Sequence, residues 1–168
     1  MKTQPNRTPE AGFTLIELLI VMSVILILMA LAIPYMQNVT KKANQTSAVQ
    51  SLRALNSAEG EYNSEYPQHG YACTLGALGG KPGSGTPTPE AAQIISEDLA
   101  RGNKAGYTFT LTCGGKSTSN NQDQYNSYQI FAVPNSVGHS GNNGYCTDDS
   151  GPIRFDPKGS TNCTELLQ

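Results

Sequence analysis

The stretch Glu10–Gln37, EAGFTLIELLIVMSVILILMALAIPYMQ, is apolar almost without interruption from Phe13 to Ile33 and carries one carboxylate, Glu17, near its start. Only Thr14, Glu17 and Ser23 break the run. Roughly 21 residues at helical rise span about 31 Å, the thickness of a hydrocarbon core. A secretory signal has a shorter apolar core and a small-x-small cleavage site after it. A charged group in such a helix is costly and needs compensation, so the partner of Glu17 is the central question the sequence poses.

Around this segment the chain changes character twice. Residues 1–12, MKTQPNRTPEAG, are polar and hold two prolines, and read as a short leader without a fold of its own. Beyond Pro34 the pattern turns amphipathic: Met36, Val39, Ala43, Thr46, Val49, Leu52, Leu55, Ala58, Tyr62 and Tyr66 recur at steps of three and four. Lys41, Lys42, Gln45, Arg53, Glu59, Glu61 and Glu65 mostly fall off that stripe. Pro34 removes one helical hydrogen bond and is expected to kink the helix without ending it, while Pro67 and Gly70 end it. The expectation is one long rod from about Phe13 to Tyr66, roughly 80 Å in length. Residues 13–34 are its membrane-length half, and residues 35–66 its half with a core face.

Residues 67–168 read as a globular head. Glycines and prolines between residues 67 and 106 mark a loop region, within which TPEAAQIISEDLARG is expected to form a short helix. That helix has Thr88 as N-cap, Pro89 in the first turn and Gly102 just past its end. YTFTLTC alternates as a strand with Tyr107, Phe109, Leu111 and Cys113 on one face. GGKSTSNNQDQ is expected to be a flexible loop, YQIFAV the central strand, and GYCTD and PIRFD a hairpin about DSG. Three or four antiparallel strands packed on the second half of the long helix make an α+β fold.

Cys73, Cys113, Cys146 and Cys163 all lie in the head, with no Cys-x-x-Cys spacing to suggest zinc or redox work. Downstream of a membrane-targeting segment they read as two disulfides. Three pairings are possible. Cys146–Cys163 is favoured because it closes a short loop of roughly 17 residues, contributing about 3 kcal/mol, and it leaves Cys73–Cys113.

Several functions are disfavoured. The net charge is −2 and no basic cluster exceeds Lys41–Lys42, so binding of nucleic acid is not indicated. His69 and His139 stand apart from each other beside glycines, no Gly-x-Ser-x-Gly elbow occurs, and GGKPGSG lacks phosphate-loop spacing. Asp148, Asp149 and Asp156 read equally as turn formers or calcium ligands, and the turn reading is preferred. Tyr35, Tyr62 and Tyr66 lie along the rod and read as packing residues. Neither a catalytic group nor a cofactor is expected.

Glycine, aromatic, glutamate and a membrane-length helix, in GFTLIELLIVMSVILILMALAIPYM, together resemble the N-terminus of the type IV pilin superfamily, which includes the pseudopilins of type II secretion. The resemblance implies that a prepilin peptidase cuts between Gly12 and Phe13 and methylates the amine of Phe13. It implies that Phe13, Glu17 and Pro34 serve assembly, the Glu17 carboxylate meeting the new amine of a neighbouring copy. Glu10 and Ala11 depart from the basic residue that often precedes the glycine. The implied protein is a homopolymeric surface filament subunit, held in the inner membrane before an assembly machinery extracts it. A periplasmic pseudopilin, a minor pilin and a membrane-anchored periplasmic module are the alternatives. The absence of tryptophan favours the pilus reading over the pseudopilin.

Overall fold

The computed structural model describes residues 12–80, 83, 85–119 and 122–167, and of residues 32–35 the backbone alone. Residues 1–11 of the expected leader over residues 1–12, the side chains of Pro34 and Tyr35, and Lys81, Pro82 and Ser84 of the glycine-rich loop lie outside the described residues. The fold is α+β. Its elements are α1 (Leu15–Glu65), α2 (Leu75–Leu78), α3 (Glu97–Ala100) and six strands: β1 (Asn103–Lys104), β2 (Tyr107–Ser119), β3 (Gln122–Pro134), β4 (Gly144–Asp148), β5 (Arg154–Asp156) and β6 (Glu165–Leu166). Helix assignment is unbroken across Pro34. The chain divides into two units, residues 1–38 and residues 39–168.

In the first unit α1 carries Leu15 to Leu31 with every side chain exposed. A helix with apolar residues on all sides has no face to solvate, and the second unit shows what a one-faced helix does instead.

There α1 buries Ala48, Leu52, Leu55, Ala58 and Tyr62, a stripe at steps of three and four. Against it the sheet sets Tyr107, Phe109 and Leu111 of β2, Tyr128, Ile130 and Ala132 of β3, and Tyr145 of β4, and Leu75, Leu78 and Leu99 of the short helices join the same core. On both long strands the buried residues alternate, as a sheet with one covered face requires. Register carries the alternation across the ladder, with Phe109 opposite Ala132 and Leu111 opposite Ile130. Val39, Ala43 and Thr46, expected on the stripe, are exposed, and the core face begins only at Ala48. Glu59, expected off the stripe, is buried completely.

All strands pair antiparallel in the order β1-β2-β3-β4-β5-β6. The sheet therefore exceeds the three or four strands expected. Two of the six, β1 and β6, are two residues long, too short to show an alternation. YQIFAV does lie inside the sheet, within β3.

Two expectations fail for identifiable reasons. The presumed flexible loop is the outer half of the β2–β3 hairpin, paired through Ser119 and Gln122. Its polar side chains stabilise it across the ladder: Lys116 and Asp123 form an ion pair at 2.8 Å, and the Thr118 hydroxyl donates to Asp123 at 3.0 Å. Asn120 and Asn121 at its tip lie outside the described residues. The helix expected from Thr88 begins only at Glu97. Upstream, the amides of Ala92, Gln93 and Ile94 donate to the carbonyls of Ala77, Gly79 and Leu78, so α2 and its end take the hydrogen bonds a helix would have used. The expected stop stands: Gly102 follows α3 with φ +73°, a conformation glycine adopts without strain. Helix α2 itself was not expected, although its N-cap Thr74 accepts from the Ala77 amide in the usual way.

Both disulfides are formed, Cys73–Cys113 and Cys146–Cys163. The first ties the chain after α1 to β2 over a separation of 40 residues, which constrains the unfolded chain by about 4 kcal/mol on the chain-entropy account. Beside it, the chain after α1 meets β3 directly: the Tyr71 amide donates to the Tyr125 carbonyl, and the Tyr125 amide to the His69 carbonyl. Gly70 sits inside this bridge at φ +74°, where an added Cβ would lie 2.1 Å from the Tyr125 carbonyl oxygen. Gly70→Ala is therefore expected to destabilise the head by about 2–4 kcal/mol, read as a lowered denaturant midpoint. A midpoint equal to the parent's would mean the bridge is dispensable.

Candidate functional site at the helix start

Gly12, Phe13 and Thr14 precede α1 and adopt no regular structure. Phe13 is 89% exposed, as is Leu15. A Cβ built on Gly12 would meet nothing within 4 Å. Among the described residues nothing about residue 12 demands a glycine.

Helix α1 starts with a reciprocal cap. The Thr14 carbonyl accepts from the Leu18 amide at 3.4 Å. The Thr14 amide and hydroxyl donate to Glu17 Oε2 at 2.9 and 2.8 Å, and the Glu17 amide donates to Thr14 Oγ1 at 3.3 Å. This is the capping box, in which a threonine and a glutamate three residues later satisfy each other's amides at a helix start. The pattern Thr14-Leu15-Ile16-Glu17 is the sequence signature of that cap, beside the expected pairing of Glu17 with the amine of a neighbouring copy. Within its own chain, then, Glu17 has neutral donors. Among the described residues no cation bonds to it.

The rest of the segment meets the conditions for life in lipid. The Ser23 hydroxyl donates to the Ile20 carbonyl at 2.8 Å, so the one hydroxyl between Leu15 and Leu31 is satisfied internally. Helix α1 is long and apolar enough to cross a membrane. Gly12, Phe13 and Glu17 stand together at this start, whereas Pro34 lies farther along the helix and the cysteines belong to the head.

The head holds the remaining candidates in structural roles. Asp148 accepts from the Ser150 hydroxyl, from Arg154 at 2.8 Å and from the Ser150 amide at 3.0 Å, and these donors hold its carboxyl below the usual carboxylate range. Asp156 accepts from the amides of Lys158 and Ser160 at 3.1 and 2.9 Å, which shapes the turn inside the Cys146–Cys163 loop. Among the described residues no group of three histidines, cysteines or acids is placed to hold a metal ion. The carbonyl of His69 and the amide of His139 are engaged in backbone bonds. Tyr62 packs on Tyr66 at 5.0 Å between ring centres and its hydroxyl donates to the Pro89 carbonyl.

Residues 7–33 match the family model of the prokaryotic N-terminal methylation motif, the hallmark of the prepilin-type segment of type IV pilins and pseudopilins. No curated protein and no solved structure matched the chain.

Proposed function

We propose that this chain is a structural subunit of a bacterial type IV pilus, made as a precursor with a leader over residues 1–12. The methylation motif supports the pilin and pseudopilin class and does not distinguish one system from another. In this reading a prepilin peptidase cuts after Gly12 and methylates Phe13, residues 13–34 anchor the subunit in the inner membrane, and helix bundling then transfers it into a homopolymer outside the cell. The observation that carries the reading is the apolar surface of Phe13–Leu31, exposed among the described residues and joined to an acid at its start.

The physical logic is an exchange of one apolar surrounding for another. Lipid covers these side chains before assembly and other copies of the same helix cover them afterwards, so extraction loses little hydrophobic burial. What distinguishes one register from another is charge. A neighbour placed out of step leaves Glu17 unpaired in an apolar core. Energy for extraction comes from a separate motor, and the subunit itself does no catalysis.

The second reading is a type II secretion pseudopilin, which shares the motif and stays in the periplasm. Two disulfides and a polar hairpin arm from Gly114 to Ser127 suit a head exposed outside the cell, and favour the pilus. Shearing intact cells separates the readings. The pilus reading expects this chain, starting at methylated Phe13, in long surface fibres. Its confinement to the envelope, with loss of enzyme secretion on deletion, would favour the pseudopilin. A mature chain beginning at Met1 would reject both.

A further inference from the structure

Glu59 is 0% exposed, on the core side of α1. It accepts the Ala72 amide through Oε2 at 2.9 Å, while Oε1 has no hydrogen-bond partner. Facing it are Tyr62 from α1 itself, Tyr128 from β3, and the Tyr71–Ala72 segment that follows the helix, where the Tyr71 ring packs edge-on to Tyr128 at 4.8 Å. Neither near phenol relieves it, because the Tyr62 hydroxyl donates to the Pro89 carbonyl and the Tyr128 hydroxyl to Asn56 Oδ1. The other charges acting on these tyrosines are carboxylates: Glu90 on Tyr62, and Asp148 and Asp149 on Tyr128. No cation bonds to Glu59 among the described residues. Arg101, Lys116 and Arg154 pair with Glu97, Asp123 and Asp148 instead.

A buried carboxylate with one neutral donor and no cation is an unstable arrangement, and the group relieves it by holding a proton. We propose that Glu59 is a proton-operated latch: as the neutral acid it fastens Tyr71–Cys73 to α1, and its ionisation loosens that segment together with the adjoining Gly70–Tyr125 bridge to the β2–β3 hairpin. The proposal is independent of which filament system the chain serves. The direction of the effect follows from burial, which pushes the Glu59 carboxyl up from 4.5 to about 7 against the smaller opposing pull of the Ala72 amide. The folded state thus binds the proton more tightly than the unfolded chain does. The contribution of Glu59 to stability is fully present below about pH 4.5, is lost as pH rises from there to about 7, and is constant above.

The test uses the full-length chain in detergent micelles with disulfides intact. Hydrogen exchange across residues 68–74, corrected for intrinsic base catalysis, is compared at pH 6 and pH 8. Ionised Glu59 rises about tenfold over that interval, and opening of the segment is expected to rise with it, by up to tenfold. Glu59→Gln keeps an acceptor for the Ala72 amide and cannot ionise, so its corrected exchange should stay level. An equal rise in parent and variant overturns the proposal. Should Glu59→Gln fail to fold, carbon-13 NMR of the parent's Glu59 carboxyl is set beside the parent's exchange: opening that follows a titration near 7 sustains the latch, and a titration near 4.5, or one that leaves exchange level, ends it.

Discussion

Glu17→Gln is expected to enter the membrane and lose its leader as the parent does, yet to leave sheared fibres on the order of a hundredfold scarcer. Glutamine serves a capping box as well as glutamate does, so the donors on Thr14 keep a partner. What disappears is charge alone. In the proposed filament the cleaved Phe13 carries a positive amine at the helix start, where the macrodipole already places partial positive charge. Its own helix therefore repels it, and the relief comes from a carboxylate on another copy. Leaving one member of a buried pair without the other costs about 3–5 kcal/mol, enough for that loss of fibre. Thr14→Ala supplies the control. It removes the cap at a cost of about 1 kcal/mol while keeping the acid, and fibres should persist. If Glu17→Gln polymerises freely while Thr14→Ala loses its fibres, Glu17 is a helix cap and nothing more.

The second large effect belongs to Gly12→Val. A Cβ at residue 12 meets nothing within 4 Å among the described residues, so folding and insertion should match the parent. Cleavage requires an enzyme to draw an extended backbone close, and the absence of a Cβ permits that approach. The expected outcome is a precursor that accumulates uncut, with mature protein beginning at Phe13 reduced at least about tenfold, read by intact-mass spectrometry of membranes. Maturation at the parental rate would show that the glycine answers to something other than the peptidase.

What the sequence disclosed depended on whether burial left a period behind. Leu52, Leu55, Ala58 and Tyr62 on α1, and Tyr107, Phe109 and Leu111 on β2, were readable because each sits at the spacing its element imposes. The outer hairpin was not, because Lys116, Ser117, Thr118 and Asp123 hold it through the ladder and an exposed ion pair, with no apolar face. Helix propensity misled between Thr88 and Ser96, where the backbone bonds to α2 and its end prevailed over local preference. Glu59 was hidden by its own chemistry, since an acid beside Gly60 and Glu61 reads as a solvated face. At the helix start Gly12, Phe13 and Glu17 were legible because they are contiguous.

Every side chain of the buried core lies at Ala48 or beyond, and none is drawn from the greasy half of α1. Mutational drift can therefore rewrite the portion beyond residue 38 without touching the residues on which polymerisation is proposed to rest, and a foreign head grafted after residue 38 should inherit the export and stacking behaviour of its new stem. Diversity at the periphery and rigidity of the spine are, on this plan, governed by separate sets of amino acids.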